Sequence, residues 1–269
     1  MKRGTLLPIA LIAALVGLFL LLAHPYTRSG PEQEGPGLSD TPPARPSSRS
    51  RTEAPAPTTV FYLFDISRSM HTGAPNSPFF RAIPLLRRSI KALGEDQNLP
   101  GPQLHRVGTI GDVGLNQSVL CEIRVSEPGI FVGADPRLTD QHIADCEKRL
   151  RTLSPTDYTD ISGAVKYATL ALEGSDSTVR GIIIFSDLEE DLPRGRETAV
   201  ANLKGICLAV FYEITGNTAT TPHQLDDRIR QWSDRFRTWG ANGAQFRLAA
   251  GFNPQDLDVF FLRCSSRRN

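Results

Sequence analysis

The chain has 269 residues, of which 22% are charged, and 30 Lys and Arg stand against 29 Asp and Glu for a net charge of +1. Acids and bases are interspersed, which leaves no nucleic-acid footprint, and the short basic ending RCSSRRN reads as a solvated tail. The five histidines are scattered, with no HExxH, and no two of the four cysteines have CxxC spacing, so there is no zinc signature.

The N-terminus does not read as part of a globular core. Lys2 and Arg3 precede residues 6–23, LLPIALIAALVGLFLLLA, an uncharged apolar run of 18. Its faces are equally apolar, unlike a soluble amphipathic helix. The run is near the lower limit for a bilayer-spanning helix and long for a cleaved signal. The following HPYTRSG is a poor cleavage site. Residues 1–26 are therefore expected to be an uncleaved membrane anchor, with a cleaved signal as the alternative. Basic residues before the run put the N-terminus in the cytoplasm and the rest outside it, periplasmic or extracellular. Residues 27–57 hold seven prolines and no aromatic residue, and read as a disordered tether.

Residues 58–269 suffice for one core and are expected to form a single domain. TVFYLF (59–64), GIIIF (181–185) and GICLAVFY (205–212) are continuous apolar runs, as expected of parallel strands covered on both faces. Amphipathic patterns predict helices over 77–93, where Pro84 should kink the helix or delay its start, and over 138–153, 160–172 and 222–240. In the last of these, Gly240 is a plausible C-cap. Residues 104–110 and 118–125 read as a hairpin adding an antiparallel edge. Residues 244–250 read as a final strand and 253–264 as a final helix. The expected fold class is α/β, with a doubly wound, mostly parallel sheet and helices on both faces. Cys121, Cys146, Cys207 and Cys264 permit disulfides in an exported domain, with three possible pairings. Cys207 could equally be a small buried apolar residue.

The chemistry concentrates at strand ends. The first apolar run ends in Asp65, Ser67 and Ser69, and GIIIF ends in Asp187. In an open parallel sheet, ligands bind beyond the carboxyl ends of strands where strand order reverses. If the two strands are neighbours there, both carboxylates face one crevice, and Thr159, just before a helix, could cap it or turn to the same place. Two carboxylates and three hydroxyls form an all-oxygen set suited to a hard divalent cation such as Mg²⁺. The alternative for each position is a hydrogen-bonded turn or helix cap without metal. Glu189, Glu190 and Asp191 read as a solvated acidic loop, and His71 lies just past the first motif as a minor candidate for the site's lining.

DISRS (65–69), YTDISGA (158–164) and IIIFSD (182–187) together resemble the three motifs of the von Willebrand factor type A domain, which form its metal-ion-dependent adhesion site. The resemblance extends over nearly all of residues 58–269. It implies that Ser67 and Ser69 bind the metal directly, Thr159 directly or through water, and Asp65 and Asp187 largely through waters or hydrogen bonds. The implied cofactor is Mg²⁺, with Mn²⁺ or Ca²⁺ as alternatives. The implied partner is a protein offering an Asp or Glu to the metal, with no small-molecule substrate. Family members often have Gly after the last Asp, where this chain has Leu188. The expected function is a membrane-anchored, metal-dependent protein-binding module. The alternatives are a metal-independent component of an envelope complex and a metal-dependent hydrolase. The hydrolase is disfavoured because Ser67 stands where haloacid-dehalogenase-type phosphatases place a second carboxylate.

Overall fold

A computed structural model of the chain describes residues 58–95, 99, 101–112, 118–125, 136–215 and 222–266. The expected anchor and tether, residues 1–57, lie outside these residues. Among the described residues no helix is long and apolar enough to cross a membrane.

Strands β1 (Thr58–Asp65), β2 (Gln103–Ile110), β3 (Cys121–Val125), β4 (Val179–Ser186), β5 (Cys207–Tyr212) and β6 (Gly243–Leu248) form one sheet in the order β3-β2-β1-β4-β5-β6. All neighbours are parallel except β2 and β3, so β3 is the expected antiparallel edge. Helices α1 (Pro78–Glu95), α2 (Pro136–Arg151), α3 (Ile161–Glu173), α4 (Pro222–Thr238) and α5 (Pro254–Ser265) cover both faces. The α/β doubly wound class read from the sequence is the observed one.

The continuous apolarity of β1 has a simple cause, since alternate side chains of a strand leave opposite faces. Val60, Tyr62 and Phe64 enter the core beneath α1, α2 and α5, while Phe61 and Leu63 enter the core beneath α3 and α4. Each buried large side chain contributes roughly 1.5–3 kcal/mol, so this strand ties both helical layers to the sheet. Gly181 lets α5 approach β4, because a side chain there would run into the Phe261 ring.

Helix α1 passes through Pro84 without a delayed start, and Pro84 lies on its exposed side, where a lost backbone bond is replaced by water. Helix α4 buries Trp232 and Phe236, and after Thr238 the chain turns at Gly240, whose φ of 86° is easiest for glycine. Cys121 pairs with Cys146 and Cys207 with Cys264, so Cys207 is both buried and disulfide-bonded.

Candidate metal centre

The strand order changes direction between β1 and β4. The chain leaves β1 toward β2 on one side and returns through β4 on the other. Asp65 ends β1, and Asp187 directly follows β4. The register pairs Phe64 with Phe185, which sets Asp65 level with Ser186. Both aspartates are fully buried.

Asp65 organises the first loop. Its Oδ1 accepts the Ser67 backbone N–H at 2.9 Å and its Oδ2 accepts the Ser186 hydroxyl at 2.6 Å. The Ser67 and Ser69 hydroxyls lie 3.1 Å apart. The loop is held from the other side by Thr156, whose N–H donates to the Ile66 carbonyl at 2.9 Å and whose carbonyl accepts from Arg68 N–H at 3.2 Å. Three residues on, Thr159 and Asp191 exchange backbone hydrogen bonds of 2.8 and 3.0 Å. The three sequence motifs are therefore tied together through Thr156, Ser186 and Asp191.

Thr159 is buried, and its hydroxyl makes no hydrogen bond among the described residues. It is not the helix cap. Asp160 caps α3 instead, accepting the Gly163 N–H at 2.7 Å and pairing with Arg196 at 2.9 Å. Asp187 accepts the Glu189 N–H at 3.1 Å and the Thr215 hydroxyl at 3.0 Å.

The electrostatics follow from this burial. The Asp65 carboxyl is pushed up to about 7, first by burial and then by the neighbouring Asp187 charge, against the pull of its bonds to Ser186 and Ser67. Glu189 is raised for the same two reasons, with Arg228 opposing. Neither Asp65 nor Asp187 has an ion pair to a Lys, Arg or His among the described residues. Arg228 donates to the Asp187 backbone carbonyl at 3.2 Å. Two buried carboxylates in mutual repulsion, with the Ser67 and Ser69 hydroxyls in the loop that Asp65 holds, suit a hard divalent cation in both charge and donor type. Among the described residues no group of three or more His, Cys, Asp and Glu is arranged to hold a metal. A centre made of two carboxylates and three hydroxyls falls outside that kind of cluster.

Several participants were invisible in the sequence. Ser186 and Thr215 are ordinary residues until the strand register brings Ser186 to Asp65 and the end of β5 brings Thr215 to Asp187. The acidic loop also differs from expectation. Glu190 is half-buried, accepts the Ser162 N–H at the start of α3 at 2.7 Å and pairs with Arg235 of α4 at 2.7 Å. It clamps two helices to the loop, while Asp191 alone of the three is exposed. His71 is used in packing: its ring stacks on Phe79 and bonds the Leu153 carbonyl at 3.0 Å.

Leu188 shows how the chain manages without glycine. It adopts φ 63°, the left-handed region that glycine enters freely. Its side chain is buried in the α3–α4 core, its N–H donates to Ser186 Oγ at 2.9 Å, and its carbonyl accepts Trp232 Nε1–H at 3.0 Å. These contacts hold a conformation that costs roughly 1–2 kcal/mol for a residue with a Cβ.

No family model matches the chain, and no curated protein matches it. Among solved structures it is similar to a von Willebrand factor type A protein from Catenulispora acidiphila, at 13% identity over 79% of this chain and 43% of that one, with a TM-score of 0.44. It is also similar to the manganese-loaded TRAP protein of Plasmodium vivax, at 14% identity over 78% and 74% of the two chains, with a TM-score of 0.42. A third is proximal thread matrix protein 1 of the mussel byssus with a zinc-occupied MIDAS motif, at 14% identity over 78% and 46%, with a TM-score of 0.40. The chain thus spans less than half of the first and third of these proteins. Its α/β class rests on the strand order and register described above.

Proposed function

We propose that the chain is a metal-dependent protein-binding module, held at a membrane surface by residues 6–23 and presented outside the cytoplasm on the tether of residues 27–57. Ser67, Ser69 and Thr159 would hold the metal, with Asp65 and Asp187 acting through hydrogen bonds or water, and Mg²⁺ is the favoured ion. The carrying observation is the buried Asp65–Asp187 pair beyond β1 and β4, which lacks any cationic side-chain partner among the described residues. Two disulfides support an oxidising compartment.

The ion, when bound, supplies an electrophilic position that a partner's carboxylate can occupy. The chain's own residues do the rest. Asp65 fixes the Ser67 backbone, and so aims the Ser67 and Ser69 hydroxyls. Thr215 and the Glu189 N–H orient Asp187. Uncharged hydroxyls leave the ion's charge only partly neutralised, which favours an anionic partner group. No catalytic turnover is part of this reading, and Mn²⁺ serves as a spectroscopic stand-in.

Water-proton relaxation of Mn²⁺ tests it. The full chain should enhance relaxation through retained, exchangeable metal-bound water. A short peptide with one Glu should reduce that enhancement at millimolar concentration, and the same peptide with Gln should not. Equal effects of the two peptides, or no enhancement in the wild-type chain, would contradict the reading.

A further inference from the structure

Strand β6 ends the sheet. It pairs with β5 on one side, and among the described residues no strand pairs with it on the other. A strand in that position presents a row of backbone donors and acceptors that a further strand can satisfy. Gly243–Leu248, sequence GAQFRL, contains no proline, and its one charge is Arg247.

Alongside this edge, between β6 and the outer side of α5, runs a groove of about 350 Å³. Its floor and wall include Val259, which is 47% exposed, and the half-buried Phe260. Arg247 and Arg263 line it as well, and both are exposed. Neither guanidinium has an ion pair or a hydrogen bond among the described residues. By contrast, Arg68, Arg81, Arg87, Arg106, Arg196 and Arg235 are all engaged with carboxylates. Asp256 is the one acid in the groove lining and is approached by the Asn253 amide. The groove therefore carries net positive charge beside an apolar strip.

We propose that this edge is a second docking surface, which takes an extended acidic–apolar segment of another protein as a seventh strand. Main-chain pairing to β6 supplies register. Every second side chain of the incoming strand then faces the groove, where acidic groups meet Arg247 and Arg263 and apolar groups meet Val259 and Phe260. The charges select this occupant over a second copy of the chain. A twofold pairing of β6 with β6 would set two arginine-bearing grooves side by side. The surface belongs to the sheet edge rather than to the strand ends, so chelation of divalent metal leaves it unchanged, and it stands or falls separately from the metal centre.

The test uses the full chain and the synthetic peptide VTETVTETV, which carries Val and Glu on one strand face and Thr on the other. Amide hydrogen exchange should show new protection confined to residues 243–248, with and without EDTA. Replacing both Glu by Lys in the peptide should raise the apparent Kd by about tenfold or more. The chain variant Arg247→Glu/Arg263→Glu should reverse that preference. This variant changes exposed side chains only, and unaltered protection elsewhere will report its folding. N-methylation of alternate peptide nitrogens should abolish protection.

Four results would overturn the proposal. One is absence of protection at millimolar peptide, and another is indifference to peptide charge. A third is protection of β6 without peptide that rises with protein concentration, which assigns the edge to a second copy. The fourth is peptide-free protection lost on deleting residues 27–57, which assigns it to the chain's own N-terminal segment.

Discussion

At the scale of single residues, Leu188 sets a backbone cost against a packing gain. Its φ of 63° is unfavourable for any residue with a Cβ, and its side chain is buried in the α3–α4 core. Leu188→Ala removes the burial and keeps the strain, so a loss of about 3 kcal/mol is expected. Leu188→Gly removes both, so it should be the more stable of the two by roughly 1 kcal/mol. The usual order for a buried position is the reverse, and urea unfolding of the two variants decides it. His105 gives a pH prediction. It is fully buried between the Tyr62 hydroxyl at 3.2 Å and Gln103 Oε1 at 3.1 Å, and burial lowers its ring to about 3. The unfolded chain takes up a proton near pH 6.5 and the native state does not. This contribution to stability is therefore full above pH 6.5 and declines as pH falls toward 3. Asp65 has the opposite sign in the metal-free protein: its contribution is present below about pH 4 and lost as pH rises through about 7. Comparing wild type with His105→Gln at pH 7.5 and 5 cancels the Asp65 part. The variant should lose less stability on acidification than wild type, and equal losses would contradict the assignment.

At the scale of elements, the disulfide between Cys207 and Cys264 fastens α5 to β5 across a separation of 57 residues. Closing a loop of that length restricts the unfolded chain by about 4 kcal/mol, and the 25-residue separation of Cys121 and Cys146 by about 3.5 kcal/mol. Replacing Cys207 and Cys264 together by Ala should cost more stability than replacing Cys121 and Cys146 together by Ala. Denaturant midpoints of the two double variants measure the difference. Elements were the most legible level in the sequence. A strand buried on both faces must be apolar throughout, and VFYLF and GIIIF could hardly be anything else. What escaped the sequence depended on partners far along the chain. Ser186 meets Asp65 across 121 positions, fixed by a register that no local pattern encodes. Glu190 looked like one acid in a solvated run because Arg235, its partner, lies 45 residues away. Thr159 looked like a cap because the next residue, Asp160, has the same capacity and takes that role. The cysteine pairing was equally closed to inspection, since three pairings fit the same four positions.

At the scale of the whole molecule, sheet order does the decisive work. Placing β1 beside β4 brings together loops that begin at Asp65 and Asp187, with the loop at Thr156–Asp160 tied to both, and it buries two carboxylates where their charges oppose each other. A fold that had only to be stable would do better with those positions neutral or paired. In the proposed reading a bound cation compensates this repulsion, as a proton on Asp65 would at low pH, so cation binding should raise native stability by mass action. The Asp65–Asp187 pair sits at one end of the strands and the β6 groove along the sheet's side, so the two proposed surfaces do not overlap. The most direct test of the central claim is calorimetric titration of Mg²⁺ and Mn²⁺, to about millimolar concentration, into the full chain and into Asp65→Asn. A single site is expected in the wild-type chain, weakened at least tenfold in Asp65→Asn while the variant remains folded. Equal binding by the two proteins, or no heat and no change in Tm for wild type at saturating metal, would contradict it.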